Sequence, residues 1–117
     1  MNNNDLTYPQ EDVIEYLSVD IIEYSNDHFP GHVTCKFIDI YGKIHHIYEK
    51  APVVASKLDE NSILPQKGYI AGEIIFNKKG IIKFSTKKPW DIETKENQNV
   101  FYVHENQIIN ELADKKE

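Results

Sequence analysis

Arginine is absent from this chain, since all 13 of its basic residues are lysines. Proteins that recognise nucleic acids commonly use the planar arginine fork to contact phosphates and guanine edges. The same fork clamps phosphorylated and carboxylate substrates. The sequence therefore argues against a nucleic-acid partner and against an arginine-clamped anionic substrate.

Cysteine is almost absent: Cys35 is the only one in 117 residues, so no internal disulfide can form. Small secreted domains usually carry paired cysteines, and a single one favours a reducing compartment. Residues 1–16 show neither the basic start nor the long apolar stretch of a signal peptide. No apolar run approaches the roughly 20 residues of a membrane span. We therefore expect a cytoplasmic protein that does not bind a membrane.

Motifs that carry chemistry are also missing. The chain has no Cys-x-x-Cys or His-Glu-x-x-His spacing, no serine nucleophile elbow and no phosphate-binding glycine loop. His45 and His46 are adjacent in a strand pattern, so their rings point to opposite faces and cannot share a metal ion as neighbours. Cys35 shares a strand face with Val33 and Phe37, as a core thiol does. The sequence predicts no catalytic residue, no cofactor, no metal ion and no enzymatic activity.

The acidic residues are unevenly distributed along the chain. The formal net charge is -6, and residues 1–35 contain carboxylates but no lysine. Such a segment suits docking against a basic protein, because complementary charge speeds and orients the encounter. The alternative is a solvated acidic face that only keeps the protein soluble. The predicted partner-binding residues are acids of this segment together with the single tryptophan: Glu11, Asp12, Glu15, Asp20, Glu23, Asp27 and Trp90.

Alternating apolar residues between turn signals predict a series of short strands. We expect a helical turn near residues 10–16, a strand at 17–25, and a hairpin over 32–50 that turns at Gly42. Further strands are expected at 51–56, as an edge or crossing strand, and at 69–76, 81–85 and 99–104. Gly72, inside the strand at 69–76, indicates a bulge, a bend or the close approach of another backbone. The helical spacing of Ile108, Ile109 and Leu112 predicts a short C-terminal helix.

These elements predict a mainly β fold, namely a small antiparallel β-barrel or sandwich of six to seven strands with the short C-terminal helix at one end. The length fits a single domain over residues 1–117. Residues 1–12 form its polar lead-in and residues 113–117 its frayed tail.

Trp90 stands in the stiff segment "KPWDIE", where Pro89 has a fixed φ and restricts Lys88 to extended geometry. Ile92 follows at strand spacing, on the same predicted side as Trp90. We expect the indole to close the open end of the barrel next to Phe101 or Val103, as a structural plug. The alternative is an exposed anchor in an interface.

Five short segments of the sequence are similar to segments of other proteins. They are "PGHVTC", "YGKIHHIYEKAPVV", "LDENS", "PQKGYIAGE" and "KPWDIET", and the similarity extends in this order over residues 30–103. Their order and spacing resemble a group of small bacterial proteins that has no established activity. The group's pattern has tryptophan at the second position after Pro30, where this chain has His32. By analogy of fold alone, the pattern resembles the small β-barrels of translation factors.

The sequence therefore supports hypotheses from different classes. The first is a non-enzymatic protein-binding module, an immunity protein that neutralises a basic toxin domain through the acidic residues. The second is a small-ligand-binding or enzymatic β-barrel whose mouth contains Trp90, histidines and loop carboxylates. The third is an interaction protein in an assembly or in translation.

Overall fold

The computed structural model describes residues 13–55 and 58–109, and they confirm the mainly β prediction. Antiparallel strands form one sheet in the order β3-β2-β1-β4-β5-β6, with β7 paired to β1. The sheet curls into a half-barrel. The strands are β1 (Glu15–Ser25), β2 (His32–Ile38), β3 (Ile44–Lys50), β4 (Gln66–Lys78), β5 (Ile81–Ser85), β6 (Val100–His104) and β7 (Ile108–Ile109); α1 is Ala51–Val54, and a 3₁₀ turn spans Glu105–Gln107.

The inner face of the curled sheet carries the core. Leu17, Val19 and Ile21 alternate with outward-facing residues along β1, and all three are buried. Phe84 of β5 and Phe101 of β6 face each other in the strand register and are buried as well. Each such side chain contributes about 2 kcal/mol when it leaves water. This burial on every second residue is what makes these segments strands.

Gly72 is the point where β4 passes from one partner to another. Residues before it pair with β1, and residues after it pair with β5. A Cβ atom at Gly72 would collide with the backbone oxygen of Ser85 and with the Phe84 ring. Of the three alternatives that the sequence leaves open at this glycine, a bulge, a bend or a close backbone approach, the structure shows the close approach, which lets one long strand serve both halves of the sheet.

The substitution Gly72→Ala is expected to lower the free energy of unfolding by about 2 kcal/mol, because a rigid carbonyl group cannot yield to the added methyl. Urea unfolding measures this change. Gly42→Ala is the control: its Cβ meets nothing within 4 Å, and only its φ of +84° is unfavourable, so about 1 kcal/mol is expected. A Gly72→Ala protein as stable as the parent would contradict the close packing of β4 on β5.

Loop contacts join the two edges of the sheet, which are the β3 edge and the β6 edge. The Ile40 amide in the β2–β3 turn donates to the Tyr102 carbonyl of β6 (3.0 Å), and the Lys95 amide donates to the His46 carbonyl of β3 (2.9 Å). Lys43 and Glu96 add an ion pair at 2.7 Å. The loop at 86–99 thus covers part of the edge of β3, which would otherwise present unpaired backbone groups.

A buried polar pair supports the β2–β3 turn. His45 Nε2 lies 2.8 Å from Asp39 Oδ2, while Asp39 Oδ1 accepts the backbone N–H groups of Tyr41 and Lys43. The His45 ring packs on Phe37. Burial alone would raise the pKa of Asp39, but the hydrogen bonds from His45 and from the two backbone groups lower it below its usual value.

Three predicted elements are wrong over the described residues, and the third is the helical turn near 10–16, whose Glu15 and Tyr16 belong to β1. Residues 51–56 were expected as an edge or crossing strand, but Ala51–Val54 form one helical turn, with Pro52 in its first turn, where a missing N–H is harmless. Ile108 and Ile109 were expected in a helix, but they pair with Leu17 and Tyr16 as β7, because the open edge of β1 offers them backbone partners. Leu112 and the rest of that predicted helix lie outside the described residues, as do residues 10–12 of the predicted helical turn; Val13 and Ile14 have no regular structure.

Candidate functional site

A pocket of about 350 Å³ opens on the outer face of β1, β2 and β3. In the strand register Glu23 faces Thr34, Thr34 faces Tyr48, and Ser25 faces His32, so the pocket is built from neighbouring positions on three strands. We call it the β1–β3 pocket. Its lining residues are Glu23, Tyr24, Ser25, His32, Thr34 and Tyr48.

A β-bulge in β1 explains why Glu23 reaches this face. The register with β2 shifts between Ile21 and Glu23, which leaves Ile22 as an extra residue. Leu17, Val19 and Ile21 face the core, so an unbroken alternation would also turn position 23 inward. The bulge turns Glu23 outward instead, as bulges re-aim the side chains that follow them.

Aromatic rings form one wall of the pocket. The rings of His32 and Tyr48 are stacked, with centroids 5.2 Å apart and planes at 13°, and His28 meets His32 edge-on at 6.3 Å. Tyr48 is 52% exposed, so part of this wall faces solvent. His32 Nδ1 is buried and has no hydrogen-bond partner among the described residues.

The loop before β2 carries Phe29, which is 98% exposed. Gly31, at a φ of +97°, closes the loop by donating its N–H to the His28 carbonyl (2.6 Å), and its own carbonyl accepts the Ala51 N–H (2.9 Å). A Cβ at Gly31 would lie 2.6 Å from the Tyr24 hydroxyl, so glycine is also needed for space. The phenyl ring therefore projects from a backbone that is held at both ends.

Carboxylates surround this end of the sheet. Glu23 lines the pocket, and Asp27 lies in the Phe29 loop; both are exposed. Glu60 accepts a hydrogen bond from Asn26 of the same loop. Lys50 faces His32 in the register and is the cation beside them. The surface formed by Glu23, Asp27, Phe29, His32 and Tyr48, which we call the Phe29 surface, is thus both aromatic and acidic.

The structure brings together only two of the acids predicted to bind a partner, Glu23 and Asp27. Asp20 forms an ion pair with Lys67 at 3.1 Å and also faces Lys36, so its charge is offset by neighbouring strands. Glu15 lies at the opposite end of β1, where it faces Gly72. Glu11 and Asp12 lie outside the described residues. The uneven charge of the sequence is therefore not one continuous acidic face over the described part of β1.

The prediction that Trp90 plugs the barrel is wrong, because the indole is 61% exposed. Ile92 is buried in its place, and its carbonyl accepts the hydroxyl of Thr86 (2.6 Å). Asp91 has a φ of +52°, which breaks the strand spacing assumed between residues 90 and 92. Pro89, next to Trp90, lines a second pocket with Val13, at the end of β1 opposite the Phe29 surface.

Trp90→Ala is accordingly expected to change the free energy of unfolding by only about 0.5 kcal/mol, the usual scale for an exposed position. Ile92→Ala is the matched comparison and should cost about 3 kcal/mol, because it empties a buried site. Chemical denaturation monitored by far-ultraviolet circular dichroism measures both, since the fluorescence signal is lost with the indole. A large loss in Trp90→Ala would restore the plug hypothesis.

A second group of aromatic residues consists of Phe76 on β4, Tyr102 on β6 and Tyr41 in the β2–β3 turn. The Tyr102 ring is 6.2 Å from both Phe76 and Tyr41, and Lys83 Nζ is 5.9 Å from the Phe76 ring centre. We call these three rings the aromatic row. No carboxylate predicted to bind a partner lies in it, so it differs in charge from the Phe29 surface.

Cys35 and His45 are not placed as a nucleophile and its base in the described part of the chain. Burial, and secondarily Glu49, raise the pKa of Cys35 to about 12, so this thiol is protonated at neutral pH. His45 is buried, and its ring forms a hydrogen bond with the Asp39 carboxylate rather than with a hydroxyl or a thiol. Within residues 13–55 and 58–109, no group of three or more histidine, cysteine or acidic side chains is placed to hold a metal ion.

Phe29, His32 and Tyr48 are not among the site residues that the sequence predicts. The dense turn signal of "SNDHFPG" marked a loop, and an aromatic residue inside such a loop was the available signal for Phe29.

In the part of the chain that the structure describes, no helix has the length and apolar character needed to cross a membrane. No protein-family model, curated protein or solved structure matches this chain.

Proposed function

We propose that this chain is a non-enzymatic protein-binding module that docks a basic protein partner through the Phe29 surface, and that it serves as an immunity protein against a toxin domain. The observation that carries the proposal is the near-complete exposure of Phe29, in the loop whose His28 ring meets the His32–Tyr48 stack, with the exposed carboxylates of Glu23 and Asp27 at the same end of the sheet. Exposed aromatic side chains with a polar rim are typical of protein interaction sites.

The geometry supports a binding role because the anchor is pre-organised. The Phe29 loop is closed by the Gly31–His28 hydrogen bond and tied to α1 through Ala51. Asn26 ties the same loop to Glu60. Little conformational entropy is then lost when a partner covers the ring, which leaves more of the contact energy for affinity. Exposed aromatic side chains of this kind are the usual hot spots of interfaces.

Charge supports a basic partner. The chain has a formal net charge of -6, and Glu23 and Asp27 flank the aromatic patch. A toxin domain that acts on nucleic acid needs a basic face to bind phosphates. An acidic aromatic surface complements such a face and blocks it, and electrostatic attraction accelerates the encounter. Neutralisation of this kind takes place in the cytoplasm, which the sequence analysis also predicts.

The test is co-purification with the product of the neighbouring gene, expressed in the same cells. A partner with an excess of basic residues is expected to co-purify at low salt and to dissociate as salt rises, because exposed charges are screened. The double variant Glu23→Lys/Asp27→Lys is expected to lose the complex. Glu93→Lys changes an exposed acid elsewhere and is expected to retain it.

The proposal fails if a basic neighbouring product does not bind the chain. It also fails if the double variant Glu23→Lys/Asp27→Lys binds that product as well as the parent and Glu93→Lys do. Growth of cells that express the partner alone distinguishes an immunity role from protein binding without toxin neutralisation. A toxic partner that this chain neutralises supports the immunity role, and a harmless partner that still binds supports only the binding module.

A further inference from the structure

The β1–β3 pocket has an unusual balance of groups for a surface depression on a lysine-rich chain. Among the described residues that line it, Glu23 is the charged one. Lys50, which faces His32 in the register, and Lys36, next along β2, do not line it. Glu23 therefore offers a cation in the pocket a direct charge partner, while Lys36 and Lys50 flank the pocket on β2 and β3.

The remaining lining groups suit a flat cation that can donate several hydrogen bonds. Ser25 and Thr34 supply hydroxyl oxygens, and Glu23 supplies a carboxylate. The nearly parallel rings of His32 and Tyr48 supply an aromatic wall, over which a planar cation is attracted. The guanidinium group combines planarity with a fork of N–H donors that matches a carboxylate in two places. An ammonium group matches only the charge.

His32 Nδ1 gives a separate indication that the pocket is incomplete in the free protein. The atom is buried without a hydrogen-bond partner among the described residues. A buried polar atom without a partner is costly and uncommon in native proteins. Because this atom has almost no accessible surface in the free protein, a guanidinium N–H can reach it only if the His32 ring turns on Tyr48, and only in the tautomer in which Nδ1 is the acceptor.

We propose that the β1–β3 pocket is a receptor for one arginine side chain of the partner, with Glu23 as its charge partner and Tyr48 as its stacking surface. The proposal rests on the proposed function for its biological context, and it names the chemistry by which that surface selects a basic protein. Phe29 then acts as the apolar anchor beside the pocket, and the arginine sets the register of docking.

The test uses the full chain labelled with ¹⁵N, including the histidine rings, and titrates it with N-acetyl-arginine methylamide under NMR observation. Shift changes are expected at Glu23, His32, Thr34 and Tyr48, and not in the aromatic row. The citrulline analogue has nearly the same shape without the charge and is expected to bind at least about fivefold more weakly. The lysine analogue is expected to fall between the two.

Variants assign the roles. Glu23→Gln keeps the shape of the side chain and is expected to weaken arginine binding by about fivefold or more. Tyr48→Ala removes the stacking surface and is expected to have an effect of the same size. Glu93→Gln, with the same chemical change at an exposed position outside the pocket, is expected to bind as the parent does. Equal affinity for citrulline, or no loss in Glu23→Gln, would overturn the proposal.

The outcome separates this inference from the proposed function. A basic partner that binds through the Phe29 surface while the arginine analogue gives no shifts in the pocket overturns the arginine receptor and leaves the binding module standing. Arginine-specific shifts in the pocket, together with a failure of every basic neighbouring product to bind, support the receptor and count against the proposed function.

Discussion

Replacing Asp39 by alanine is expected to lower the free energy of unfolding by about 3 kcal/mol, because it leaves a buried hydrogen-bonded group without its partner. Asp39 accepts His45 Nε2–H and two backbone N–H groups, and both side chains are buried. All three donors would lose their acceptor at once, and His45 would remain between Phe37 and Phe101. Urea unfolding monitored by tryptophan fluorescence measures the loss.

Asp59→Ala is the matched control. Asp59 is exposed, and its side chain accepts the backbone N–H of Asn61 in a turn. A change of about 0.5 kcal/mol is expected there. If the two variants were equally stable, the buried pair would not be what supports the β2–β3 turn.

The same carboxylate makes stability depend on pH. Hydrogen bonds hold the folded-state pKa of Asp39 below its usual value, whereas in the unfolded chain the pKa is about 3.9. Its contribution is therefore complete above about pH 4 to 5 and is lost as the pH falls through the folded-state value. The stability difference between the parent and Asp39→Asn is expected to be constant near neutrality and to shrink in acid. A difference that persists unchanged to about pH 2 would contradict this assignment.

Phe29→Ala is expected to weaken partner binding by about 30-fold, or about 2 kcal/mol, while leaving the fold unchanged. The side chain is almost fully exposed, so its removal costs the free protein no packing. Isothermal titration calorimetry with the basic partner measures the loss. The matched control is Phe76→Ala, an exposed phenylalanine of the aromatic row on the outer face of β4, for which no change in affinity is expected.

The opposite result would relocate the interface. If Phe76→Ala weakened binding and Phe29→Ala did not, the partner would dock on the aromatic row. If Trp90→Ala alone weakened binding, the anchor would be at the other end of β1, and the alternative interpretation of Trp90 as an interface residue would hold.

Much of the sheet could be predicted from the sequence because its signals are local. The β2–β3 hairpin alternates apolar and polar residues and turns at Gly42, whose φ is +84°. The hairpin between β4 and β5 likewise turns at Lys79 and Gly80, both with positive φ. Local signals failed where tertiary partners decide: Ile108 and Ile109 have helical spacing, but the free edge of β1 makes them a strand.

The candidate site was less predictable, because it depends on one extra residue in a strand. The bulge at Ile22 decides that Glu23 faces outward. Neither composition nor periodicity marks this bulge, because apolar residues occur at both odd and even positions of the segment. The Asp91 backbone, with its positive φ, likewise decides that Ile92 and not Trp90 is buried. Charge counted along the chain could not show that Lys67 offsets Asp20 across strands.

Site-specific photo-crosslinking tests most directly the claim that the Phe29 surface docks a basic partner. A benzoylphenylalanine side chain is placed at position 29, 76 or 90 in separate copies of the full chain, in cells that express the neighbouring gene. We expect one discrete adduct from position 29, formed with a protein that has an excess of basic residues, and none from the other two positions. Adducts from position 76 or 90 with none from 29, or an acidic protein captured at 29, would contradict it.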